Sequence, residues 1–183
     1  FYDAGARSFY TTGTPILTPA DLAGKKIRVM QSQMCMNMVS AMGGAPTPIG
    51  WGELYTSLQQ GVVDGAENNP PSFYTSKHYE ICKHYSLDQH LRIPDVLIIS
   101  TKVWNNLAPD LQAALQKAVD ESVEVERRLW AESVRESLAA VEKAGVTIHH
   151  PDIAPFRAAV QPVWDEYLKS DYGELAREIQ AVE

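Results

Sequence analysis

The sequence predicts an α/β domain that carries one unusually long helix. Three observations lead there. Short extended segments alternate with glycine-stopped helices through the first half, Val96-Leu97-Ile98-Ile99 forms a continuous apolar run, and no proline or glycine interrupts residues 110–144.

Lys26 to Met30 reads as the first strand, preceded by a capped helical turn from Thr18 to Gly24 and followed by a helix from Ser32 to Met42 that Gly43 and Gly44 close. An extended Pro46 to Ile49, a short helix from Gly52 to Gln60 stopped by Gly61, and an extended Val62 to Ala66 complete a β-α-β-α-β rhythm. Pro70 and Pro71 suit a first helical turn, where the missing N–H costs nothing, so a helix is expected from 70 to about 80. Ile93 to Thr101 is the strongest strand candidate, apolar throughout like a central strand.

Residues 109–144 make one helix with Leu111, Leu115, Val119, Leu129, Val134, Leu138 and Val141 at helical spacing, about three times the mean length of roughly 11–12 residues. A helix that long bridges two lobes. Its charged middle, from Asp120 to Arg128, reads as a solvated face. Val146 to His149 reads as a short strand, and residues 152–182 as helical pieces broken at Pro155, Pro162 and Gly173.

Composition narrows the function. Sixteen Lys and Arg stand against 23 Asp and Glu, for a net charge of −7, the wrong sign for a phosphate-backbone binder, so nucleic acid is excluded as a partner. The longest apolar run falls far short of a membrane span. Cys35 and Cys82 lie in no CxxC or Cys/His pattern and read as buried thiols, and no histidine spacing supports a metal site. Dinucleotide, P-loop and α/β-hydrolase signatures are absent, which favours a binder without a cofactor.

Arg28 is the leading candidate for a functional residue. Ile27 and Val29 flank it in a strand, which places the guanidinium on the opposite face. Position alone leaves two readings, a surface arginine in a weak ion pair or a cleft-facing anion ligand. The turn Met30-Gln31-Ser32 after the strand favours the second, because ligands of α/β sheets collect beyond the carboxyl ends of strands. Trp51, between Gly50 and Gly52, is either core or a cavity wall. Asn68 and Asn69, held extended before two prolines, are either turn formers or outward-aimed amides. Asp64 and Glu67 are at a spacing that is not diagnostic of a glycosidase pair.

The segment Pro19 to Val29, ending Lys-Lys-Ile-Arg-Val, and the segment Gly44 to Asn68, carrying Gly-Trp-Gly-Glu-Leu-Tyr and closing Val-Val-Asp-Gly-Ala-Glu-Asn, resemble the solute-binding proteins of TRAP (tripartite ATP-independent periplasmic) transporters. The likeness continues through Leu107-Ala-Pro-Asp before the long helix and Ala144-Gly-Val at its end. It implies a two-lobe clamshell of the type II periplasmic-binding kind, here without its N-terminal lobe. Residues 1–92 are then the second-lobe ligand-binding domain, 93–133 a segment returning to the first lobe with part of the bridging helix, and 134–183 a helical tail packing on the second lobe.

The resemblance also implies roles. Arg28 salt-bridges a ligand carboxylate, Arg7 in a Gly-x-Arg segment and Asn68 join it, and Trp51 packs on the ligand. Gln31 and Asn69 fall at polar contact positions, and Glu67 orients the arginines. The stretches Glu67 to Glu80 and Tyr85 to Asp95 look most like members that bind sugar acids such as glucuronate or galacturonate. The implied protein is not an enzyme but a periplasmic, monomeric receptor delivering its ligand to TRAP membrane subunits. A C4-dicarboxylate or sialic acid asks for similar groups, and an enzyme on acidic sugars with Asp64 or Glu67 as base is the rival from another class.

Overall fold

The computed structural model describes residues 1–182. Six strands form one mixed sheet: β1 (Ala6–Thr11), β2 (Lys26–Val29), β3 (Ala45–Pro48), β4 (Gly65–Asn68), β5 (His84–Arg92) and β6 (Thr147–His149), in the order β3-β2-β4-β1-β5-β6. The pairs β2–β3, β2–β4 and β5–β6 are parallel, whereas β1 runs antiparallel to both β4 and β5. The reversed β1 therefore starts beside the carboxyl end of β4, with Ser8 opposite Asn68.

Helices α1 (Gln33–Ala41), α2 (Leu54–Gln59), α3 (Pro70–Thr75), α4 (Thr101–Asn105), α5 (Pro109–Lys143), α6 (Ala154–Tyr167) and α7 (Gly173–Gln180) surround the sheet. Strand alternation divides the core. Phe9, Ile27 and Val29 point to one face and pack with Cys35, Met38 and Val39 of α1 and Phe156 of α6. Tyr10 and Ala66 point to the other, among Leu54 and Leu58 of α2, Phe73 of α3, Tyr85, and Val141 near the end of α5. Both cysteines are buried thiols, as expected.

The α/β class and the first β-α-β-α-β stretch match the sequence reading, as does the long helix. The strand expected over 93–101 does not form there. Val96 and Leu97 are each 58% exposed and Ile98 82%, while the strand lies just before them, in β5. Its buried residues include Ser86 and Asp88, so β5 carries no apolar signature. Pro162 does not break the last segment but lies inside α6, on its exposed side, where water takes over the carbonyl that a missing N–H abandons. The helix expected from 70 to about 80 is interrupted at Lys77, whose positive φ of 59° separates α3 from a 3₁₀ turn over His78–Glu80.

Three segments are tied together at one level of the molecule. Tyr2 and Asp95 exchange backbone hydrogen bonds of 2.9 and 3.1 Å. The Tyr2 hydroxyl meets Ser122 Oγ at 2.7 Å, and the Asp3 amide donates to Glu126 Oε2 at 3.0 Å, both on α5. One turn further along α5, Trp130 lies so close to Gly5 that an added Cβ there would meet its Nε1 at 3.0 Å.

Candidate functional site

The carboxyl ends of β2 and β4 and the start of β1 converge on one group of charged side chains. Arg7 donates from Nε to Glu67 Oε2 at 2.5 Å, from Nη2 to Glu67 Oε1 at 2.8 Å and to its carbonyl at 3.0 Å, and from Nη1 to Asn68 Oδ1 at 3.0 Å. This fork-on-carboxylate geometry fixes the guanidinium plane. Burial opposes the charge on Arg7, but the Glu67 carboxylate outweighs it and raises the arginine's pKa. Burial likewise pushes Glu67 toward the neutral form, yet the hydrogen bonds from Arg7 and the nearby His90 ring hold its pKa below the usual carboxylate range.

Sequence reasoning did not single out His90, or Asp88. The Asp88 carboxylate meets His90 Nδ1 at 2.6 Å and also accepts the Phe9 amide at 3.1 Å, while His90 Nε2 lies 3.7 Å from Glu67 Oε2. Burial alone would lower the pKa of His90, but the two flanking carboxylates lift it to about 9, so the ring is an imidazolium at neutral pH. The β-bulge that brings these groups together leaves Gln89 at a φ of 51° and breaks the register of β1 and β5 between Arg7 and Phe9. No local pattern in the sequence marks such a bulge.

Arg28 lies on the sheet face of Tyr10, opposite Ile27 and Val29, and is only 4% exposed. Its Nε donates to the Ile49 carbonyl at 2.8 Å, and Nη1 is buried without a hydrogen-bond partner among the described residues. Desolvation lowers the pKa of this guanidinium, which has no carboxylate in contact. The Trp51 ring covers it, with its centre 5.5 Å from the guanidinium carbon, a cation–π contact. Trp51 itself is 44% exposed and forms a wall of the cleft rather than part of the core.

That cleft has a volume of about 520 Å³, and Arg7, Met30, Trp51, Asn68, Asn69 and Trp130 are among the residues that line it. Arg28 does not line it directly but sits behind Trp51. Asn68 Oδ1 already accepts from Arg7 and from the Asn69 amide at 2.9 Å, which leaves its NH2 group unengaged among the described residues. Asn69 is committed to the scaffold: Oδ1 caps α3 by accepting the Ser72 amide at 2.9 Å, and Nδ2 donates to the Ala4 carbonyl at 3.0 Å. Neither asparagine aims freely outward as the prolines implied, since both are buried. Gln31 is exposed and does not line the cleft; Met30 takes that place. Glu67 orients Arg7 but does not touch Arg28.

Among the described residues, the unengaged donors at the cleft and behind it are Arg28 Nη1, Trp130 Nε1 and the Asn68 amide, while Asp95 brings one carboxylate to the lining. Arg7, Arg28 and His90 stand with Glu67 and Asp88, and Asp95 adds a third carboxylate, so what the site offers an anion is unpartnered donors rather than an excess of charge.

The family model for bacterial extracellular solute-binding protein, family 7, matches residues 1–171. The chain belongs to this family. A solute-binding protein of Chromohalobacter salexigens is 39% identical over 170 residues, covering 92% of this chain and 51% of the relative. Among solved structures, a TRAP periplasmic solute-binding protein from Roseobacter denitrificans with bound β-D-glucuronate is 44% identical with a TM-score of 0.94, covering 100% of this chain and 61% of that one. A TRAP solute-binding protein from Xanthobacter autotrophicus with bound β-D-galacturonate is also 44% identical, with a TM-score of 0.92 and coverages of 100% and 61%. This family 7 chain thus spans about half the length of the curated relatives it matches. No helix among the described residues is long and apolar enough to cross a membrane.

Proposed function

We propose that the chain is the carboxylate-gripping part of a TRAP receptor for a sugar acid, D-glucuronate or D-galacturonate, held in the periplasm and handing its ligand to TRAP membrane subunits. The observation that carries this reading is the buried, unpartnered Nη1 of Arg28 beneath a half-exposed indole. A planar guanidinium with free donors binds a carboxylate through paired hydrogen bonds, and an aromatic face suits the C–H surface of a sugar ring. Arg7 and the Asn68 amide complete the grip, with Glu67 and His90 fixing Arg7. The relatives with bound uronates support the same ligand class.

The uronates bound in the neighbouring structures favour a sugar acid over a C4-dicarboxylate. Catalysis by Asp64 and Glu67 is disfavoured by their placement. Asp64 stands before β4 at the far end of the sheet, accepting the Lys26 amide at 2.7 Å, while Glu67 is locked on Arg7. The exposed run Val96 to Ile99 and the outer half of α5, where Leu111 and Leu115 are also exposed, form the surface on which a second lobe packs in this proposal. Residues 1–92 and 134–183 then make one lobe, and 93–133 the return to the other. Isothermal titration of the full-length gene product with glucuronate, galacturonate and succinate tests the reading; binding of neither uronate overturns it.

A further inference from the structure

Trp51 stands between Gly50 and Gly52 in a 3₁₀ turn, so its own backbone does little to aim the ring. Two contacts fix it. One is with Arg28; the other is with the His78 ring, which meets the indole edge-on with centroids 5.2 Å apart and planes at 62°. His78 is 2% exposed and anchored in turn, for its Nδ1 shares a 2.9 Å hydrogen bond with the hydroxyl of Tyr10 in the sheet core.

We infer that His78 is the positioning residue of the cleft: it holds the Trp51 indole at the angle that roofs Arg28 and presents a flat face to a sugar ring. This rests on the receptor reading above and adds the residue that tunes it toward cyclic ligands. The geometry explains why a histidine serves here. Its ring supplies the aromatic edge, and its Nδ1 supplies the partner that keeps the buried Tyr10 hydroxyl hydrogen-bonded, which no carbocyclic side chain does. Burial, and secondarily Arg28, lowers the pKa of His78 to about 4, so at neutral pH the ring is uncharged and does not repel the guanidinium beside it.

The test separates ring from hydrogen bond. In the full-length gene product, His78→Gln retains an acceptor for Tyr10 but removes the ring, and His78→Phe does the reverse. Glucuronate affinity by calorimetry is expected to fall roughly three- to tenfold in His78→Gln, the scale of one aromatic pair, and to stay within about twofold in His78→Phe. In a Trp51→Ala background His78→Gln is expected to change nothing further, a result that general loss of stability does not produce. His78→Asn replaces His78→Gln if the latter does not fold. Unchanged affinity in His78→Gln, equal loss in His78→Phe, or the same loss without Trp51 overturns the inference. A wild-type protein that binds neither uronate overturns the receptor reading instead.

Discussion

The Arg28 guanidinium carbon lies 5.5 Å from the centre of the Trp51 ring, and of the two only Trp51 lines the cleft. The cation is prepared in advance: it is desolvated, one nitrogen has no partner among the described residues, and an aromatic surface covers it. A carboxylate that reached this guanidinium would displace no existing salt bridge among the described residues.

Arg28→Ala is expected to weaken uronate binding by about 2–5 kcal/mol, two to four orders of magnitude in dissociation constant. Arg28→Lys is expected to recover little, since an ammonium lacks the planar fork. Calorimetry on both variants checks this, and an unchanged constant in Arg28→Ala removes Arg28 from the site.

Glu67→Gln leaves Arg7 and His90 buried without their shared carboxylate. Breaking one partner of a buried ion pair costs about 3–5 kcal/mol, far more than loss of an exposed pair such as Lys117–Glu121. Urea melts of Glu67→Gln and Glu121→Gln are expected to show a large loss in the first and none in the second.

Two histidines set opposite limits on pH stability. The folded-state pKa of His90 is raised to about 9, so its stabilisation is complete below the unfolded value near 6.5 and fades as pH rises toward 9. His78, lowered to about 4, stabilises fully above 6.5 and loses its contribution as pH falls toward 4. The melting temperature is expected to peak near neutrality, with His90→Gln flattening the alkaline limb and His78→Phe the acid limb.

Gly65→Ala is expected to cost about 1–3 kcal/mol, because the new Cβ would lie 2.4 Å from the Tyr10 carbonyl where β1 and β4 meet. Gly50→Ala, in open space and without a positive φ, serves as the silent control. Chemical denaturation compares them directly.

Ile98→Asp tests the proposed second-lobe surface. In residues 1–183 alone Ile98 is 82% exposed, and the substitution is expected to leave the melt unchanged. In the full-length gene product it is expected to destabilise by several degrees; no difference between the two removes the proposed interface.

Much of this was legible in the residues. Glycine stops and proline starts located α1 to α3 and the ends of α5, because backbone chemistry punctuates locally. The alternation around Arg28 gave its face, and the Gly-Trp-Gly turn marked Trp51. The illegible parts share a cause. Strand β5 buries Ser86, Asp88 and His90 against Ile16, Phe9 and Glu67, all distant in sequence, so its polar residues imitate a loop. The run Val96 to Ile99 misled for the converse reason: it is apolar yet exposed among the described residues, so apolar character alone did not place it in the sheet. Asn69 lines the cleft and also caps α3 and holds Ala4, a double placement that no local pattern announces.

The stitching of Tyr2 to Asp95 and Ser122, of Asp3 to Glu126, and of Gly5 against Trp130 makes a mechanical joint only two residues from Arg7. A displacement of the outer half of α5 is expected to pass through that joint to the start of the strand that carries Arg7.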